Sequence, residues 1–167
     1  MFQIEPEKTV DAVRTALDVG YRHIDTAEMY GNEKQVGEGV NGSDVPRDQV
    51  FITSKLNNNH HDYDDAIKAT DQTLADLGVD AVDLFLIHWP LPEVGDFVDT
   101  WKAMEKIYAD GKARAIGVSN FQKHHLERLF AETEIVPAVN QIEVHPYLTQ
   151  DDLRAFNADH GIATEAW

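Results

Sequence analysis

Apolar residues recur along this chain in two alternating rhythms. Val10, Val13 and Leu17 fall at i, i+3 and i+7 within residues 5–19, the spacing of one helical face, and Gly20 stands where a left-handed cap would end that helix. Residues 21–27 then read as a strand that opens into a loop at Met29-Tyr30-Gly31, and Glu33 begins a shorter helix reaching Val40. A polar turn over 41–46 leads to residues 50–56, whose β-branched and aromatic content predicts a buried strand. Helix 64–77 follows, with Ala66, Thr70, Leu74 and Leu77 on one face and Gly78 at its stop, and strand 81–89 after it is nearly continuous apolar. Phe97, Trp101, Met104 and Tyr108 mark the packing face of the next helix, up to Gly111. Strand 113–119, helix 123–130 and strand 137–144 continue the alternation. Thr149 with Asp152 three residues on predicts a capping box for a helix ending near His160-Gly161, and 162–167 reads as a last strand.

Helix and strand thus alternate about six times at a spacing of roughly 30 residues, the size of a β/α unit. Apolar strands buried on both faces predict a parallel sheet, so the fold class is α/β. Two architectures satisfy this pattern, a doubly wound sheet and a β/α barrel. A dinucleotide-binding doubly wound sheet needs a G-x-G-x-x-G turn after a strand, and none follows any strand here; the barrel is preferred. No linker or low-complexity segment interrupts the pattern, and one domain over 1–167 is expected.

Composition narrows the chemistry. The chain has no cysteine, which removes thiolate metal sites, disulfides and a thiol nucleophile, so reactive groups must be oxygen or nitrogen. Thirty acidic residues against 14 basic ones give a net charge of -16, which opposes nucleic acid and anionic membrane as partners. The acidic excess is spread through the chain and reads as a solvated surface suited to high salt, the pattern of an acidic, halophilic proteome. No apolar run approaches the roughly 20 residues that span a bilayer, the start lacks the features of a signal peptide, and a cytoplasmic location is expected.

A β/α barrel carries its active site at the C-terminal ends of its strands. The residues predicted there are Asp25 with Tyr30 in the following loop, Lys55, His88, Ser119 with Asn120, Gln141 and Trp167. An isolated buried charge is costly, and Asp25 is the natural partner for Lys55. A phenol titrates near 10 when unperturbed, too high for an efficient donor at neutrality, and the Lys55 ammonium would pull Tyr30 down. His88 would orient a carbonyl oxygen beside that phenol. With no metal-ligand cluster and no obvious nucleophile, the group attacking the carbonyl is expected to be a cofactor hydride.

These residues carry a resemblance. Gly20-Tyr21-Arg22-His23-Ile24-Asp25-Thr26-Ala27, with Glu33, Val36 and Gly37 behind it, is similar to the first signature of the aldo-keto reductases, and Ala115-Ile116-Gly117-Val118-Ser119-Asn120-Phe121 is similar to the second. Ile52-Thr53-Ser54-Lys55-Leu56, Leu86-Ile87-His88-Trp89-Pro90 and Asn140-Gln141-Ile142-Glu143 fall in the family's order. The resemblance implies reduction of aldehyde or ketone carbonyls with NADPH, or with NADH, by a tetrad of Asp25, Tyr30, Lys55 and His88 in which Tyr30 donates the proton. It further implies that Ser119, Asn120 and Gln141 hold the nicotinamide carboxamide, that Trp167 stacks on its ring, and that Trp89 lines the substrate pocket with Tyr30 and His88. The motifs match the second to seventh strands of the family's eight-stranded TIM barrel. The expected fold is therefore an incomplete barrel of about six parallel strands with an open or gapped closure. The first strand and the Lys-Ser…Arg segment that grips an adenosine 2′-phosphate are not matched.

Two rival readings accompany this one: an inactive or regulatory nicotinamide-binding fragment of the same fold, and a barrel hydrolase with a metal at His60 and His61. Adjacent residues point apart on regular elements, and the pairs His60-His61 and His124-His125 are read as solvated loop. No metal is expected.

Overall fold

The computed structural model describes residues 1–167. Its helices are α1 (Pro6–Asp18), α2 (Glu33–Asn41), α3 (Tyr63–Leu77), α4 (Phe97–Ala109), α5 (Lys123–Glu132) and α6 (Asp151–Asp159). Its strands are β1 (His23–Asp25), β2 (Phe51–Leu56), β3 (Leu84–Ile87), β4 (Ile116–Ser119), β5 (Val139–Ile142) and β6 (Ala163–Ala166). All six strands are parallel and lie in chain order, β1 to β6, with β1 and β6 each paired on one side.

The curl of the sheet follows from one contact. Asp25 lies on β1 and Gln141 on β5, four strand spacings away, which would be about 19 Å in a flat sheet. Gln141 Nε2 nevertheless donates to Asp25 Oδ2 at 2.9 Å. The sheet must bend round a common interior, which makes it an open part of a TIM barrel, as the alternation predicts.

Local sequence explains the elements. Pro6 opens α1, where its fixed φ suits the first turn, and Val13 and Leu17 are buried. Asp62 caps α3 by accepting from Asp64 N at 3.1 Å, and Gly78, at φ 64°, ends it. Asp96 caps α4 in the same way, accepting from Val98 N at 3.0 Å. One cluster of 30 buried residues, among them Ile52, Phe85, Trp101 and Met104, lies between helices and sheet. The Trp101 indole donates to Ile135 O at 2.9 Å.

Four expectations need correction. The strands are shorter than the apolar runs suggest: 81–89 contracts to Leu84–Ile87 and 21–27 to His23–Asp25, because the continuous ladder with the neighbouring strands covers only the middle of each run. The Met29-Tyr30-Gly31 loop is a 3-10 turn over Glu28–Tyr30, closed by Gly31 at φ 66°. The capping box at Thr149 does not form; Gln150 takes the cap position at φ 51°, and Thr149 Oγ1 donates instead to Asp151 Oδ2 at 3.0 Å. Tyr108 sits on the packing helix yet is 45% exposed.

Candidate active site

Lys55 is the centre of the site. It is the penultimate residue of β2, only 1% exposed, and its ammonium needs compensation there. Its Nζ donates to Asp25 Oδ1 at 2.6 Å and to Thr26 O at 2.9 Å, and it lies 3.5 Å from the Tyr30 hydroxyl. The β1–β2 register brings these groups together, since Asp25 pairs with Thr53 and Lys55 follows two residues on along the same face. The 3-10 turn after β1 folds Tyr30 back over the strand ends. His88, just past β3, meets the Tyr30 ring edge-on at 5.8 Å between centroids.

The second half of the site comes from β4, β5 and the end of β6. Ser119 Oγ donates to Gln141 O at 2.8 Å, and Asn120, held at φ 64°, donates through Nδ2 to His88 O at 3.0 Å and to Ser119 Oγ at 3.1 Å. The Trp167 indole N–H donates to Asn120 Oδ1 at 3.0 Å while the residue stays 53% exposed. Asp25, Tyr30, Lys55, His88, Ser119, Asn120, Gln141 and Trp167 therefore form one connected constellation. Trp89, partly exposed beyond His88, takes no part in that network.

Burial sets the electrostatics. It pushes the Tyr30 phenol up to about 12, with the Asp25 carboxylate acting in the same direction. This reverses the expectation that Lys55 would lower it: at 3.5 Å the ammonium does not outweigh desolvation. Burial also lowers Lys55, against the pull of Asp25. His88 is brought down to about 4 by burial and then by the Lys55 charge, so its imidazole is neutral at pH 7. At neutral pH the site thus presents a protonated phenol, an ammonium and a neutral imidazole around one point. That set can polarise a carbonyl oxygen and deliver a proton to it.

A nicotinamide carboxamide needs an acceptor for its NH2 and a donor for its oxygen. Gln141 Oε1 takes no hydrogen bond, because the amide spends its Nε2 protons on Asp25 Oδ2 at 2.9 Å and Glu165 Oε1 at 3.1 Å. Asn120 Nδ2 gives one of its two protons to the neighbouring Ser119 Oγ at 3.1 Å, a side-chain contact that a carboxamide oxygen would have to replace, and the exposed indole of Trp167 offers a stacking face. The donor set fits such a group.

The histidine pairs behave differently from the solvated reading. His60 Nε2 lies 3.1 Å from Glu28 Oε1, whereas His61 is 5% exposed and packed under the Gly95 segment, with both ring nitrogens unpartnered. His125 accepts from Gln122 N at 3.1 Å and so caps α5. No three His, Asp or Glu side chains come together as a metal-holding group. Sequence reading overlooked Glu165 and the extent of Glu33's burial. Glu165 was detectable as a carboxylate two residues before Trp167, hence on the same face of a strand of otherwise small residues. Glu33 is 6% exposed between Ser54 and Thr73, both of which donate to it, and burial raises it to about 7.

The comparisons agree with this fold. The model of the aldo/keto reductase family matches residues 2–167, and the chain belongs to that family. It is 52% identical to an aldo-keto reductase of Mycobacterium sp. (strain KMS) and 48% identical to a glyoxal reductase of Bacillus subtilis (strain 168), with 100% of this chain and 60% of each relative covered. A crystal structure of an aldo/keto reductase from Brucella melitensis superposes with a TM-score of 0.97 at 50% identity, over 100% of this chain and 65% of that one. A Bombyx mori aldo-keto reductase in complex with NADP superposes at 0.92 with 39% identity, over 99% of this chain and 57% of its own. The chain spans about 60% of the length of the curated relatives it matches.

Proposed function

We propose that this chain carries out NADPH-dependent reduction of aldehyde or ketone carbonyls on small molecules, with Tyr30 as proton donor. The observation that carries the reading is the meeting of Asp25 and Tyr30 at the buried Lys55 ammonium, with His88 edge-on to the Tyr30 ring. In this reading His88, neutral at its lowered pKa, hydrogen-bonds the carbonyl oxygen and orients it beside the Tyr30 hydroxyl. Lys55 stabilises the negative charge left on Tyr30 as its proton moves to the oxygen, and Asp25 holds Lys55 charged and in place. Ser119, Asn120 and Gln141 hold the carboxamide, and Trp167 covers the ring. The chemistry a reduced nicotinamide supplies at that wall is hydride donation. NADPH is favoured over NADH because a structural neighbour is an NADP complex. Trp89 is assigned to the substrate side by its position after His88.

The test adds NADPH and glyoxal to the chain and follows the loss of reduced-nicotinamide fluorescence. Turnover that falls by at least about 100-fold in Tyr30→Phe, with NADPH affinity retained, is the expected result. Equal turnover in Tyr30→Phe would remove Tyr30 from the role. Saturable NADPH binding with no reduction of any carbonyl would favour the nicotinamide-binding fragment instead.

A further inference from the structure

Gln141 sits between two carboxylates. One of its amide protons goes to Asp25 Oδ2 at 2.9 Å, and Nε2 also lies 3.1 Å from Glu165 Oε1. Gln141 and Glu165 are partners in the β5–β6 register, and the Glu165 side chain points into the barrel interior to reach the amide. Chemistry fixes the orientation, since an ionised carboxylate only accepts and an amide oxygen turned toward two of them would be repelled. Both amide protons are committed, and Gln141 Oε1 is left as the free end. Asp25 in turn holds Lys55 at 2.6 Å, so an unbroken line of contacts runs from Glu165 through Gln141, Asp25 and Lys55 to Tyr30.

We propose that Glu165 is a positioning residue: sharing the Gln141 amide with Asp25, it fixes that amide with its carbonyl oxygen toward the cofactor and ties the cofactor wall to the proton-donating group. The inference rests on the reading of this site as a nicotinamide-dependent one. Its consequence is a preference for a cofactor whose pyridine ring carries a donor, as a carboxamide NH2 does. Asp25 alone satisfies one amide proton, and without Glu165 the second no longer resists rotation of the amide. Glu165 also lies near enough for its charge to raise the proton affinity of Lys55.

Two measurements test this. In the isotope-labelled chain without cofactor, both Gln141 side-chain amide protons should exchange slowly, and Glu165→Ala should speed exchange of one by about tenfold, the loss of a single hydrogen bond. In binding titrations the chain should take NADPH about tenfold more tightly than the analogue whose carboxamide is replaced by an acetyl group, which lacks the NH2. Glu165→Ala should abolish that preference, and Glu165→Gln, which keeps an accepting oxygen, should restore most of it. Unchanged exchange or an unchanged preference in a folded Glu165→Ala variant overturns the assignment of Glu165 and leaves the reductase reading standing. Failure of the unaltered chain to bind either dinucleotide, with Gln141 exchange behaving as expected, would instead remove the nicotinamide reading and, with it, the cofactor side of this inference.

Discussion

Lys55, Tyr30 and His88 show how burial in one pocket shifts three groups alike, each toward its uncharged form. Tyr30, held up to about 12, keeps its proton across the whole neutral range. In the proposed reaction the rate should therefore stay constant from neutral pH into the alkaline range, measured as kcat against pH, until Lys55, whose proton affinity burial lowers, gives up its charge. His88, at about 4 when folded and 6.5 in the unfolded chain, binds a proton first in the unfolded state as pH falls. Its contribution to stability is complete above pH 6.5 and is lost as pH drops toward 4. Glu33 has the opposite sign. Raised from 4.5 to about 7, it favours the fold below pH 4.5, and that contribution disappears as pH rises through 7. Glu33→Gln should therefore be more stable than the unaltered chain above pH 7, by up to about 3 kcal/mol, with the difference shrinking below pH 4.5; urea midpoints across pH read this directly. The partnership of Asp25 with Lys55 was legible in the sequence because an unpaired buried lysine is so costly. The sign of the Tyr30 shift was not, since desolvation depends on how deeply a 3-10 turn tucks the ring away.

The helices were legible as elements because each packs one face on the sheet, so Val13 and Leu17 in α1, or Ala66 and Leu77 in α3, repeat at helical spacing. Strand limits were less so: Val82 forms only an isolated bridge to Ala113, yet it is as apolar and as buried as the paired Leu84 beside it. His61 escaped for a related reason, since its burial depends on Gly95, far along the chain. Close approach between helices is also invisible to periodicity. Gly37 on α2 lies so near the end of α3 that a Cβ would stand 2.3 Å from Leu77 O. Gly37→Ala must push the two helices apart, and a loss of about 1–3 kcal/mol in urea unfolding is expected, with the transition remaining cooperative.

At the scale of the molecule, charge is the dominant feature. Most ion pairs lie at the surface, such as Arg128 with Asp96 and Glu132, and a net charge of -16 remains to repel itself. Molar KCl should raise the melting temperature, because screening relieves that repulsion; a melting temperature indifferent to salt would show that the acidic surface contributes nothing to stability. The family and the barrel class were legible from motif order and alternation, and the open arrangement of six strands from which motifs were matched. The strand order has a further consequence, in time rather than in space. Each strand pairs only with its neighbours in sequence, so the sheet can grow from β1 onward while the chain is still being synthesised, each addition closing a short loop. The hydrogen bond from Gln141 to Asp25 spans 116 residues, the longest separation of any side-chain bond in the molecule. It can form only after β5 has been laid down, so the Asp25–Gln141 contact waits for β5, and slowing the docking of β5 should delay closure of that contact more than it delays the appearance of helix.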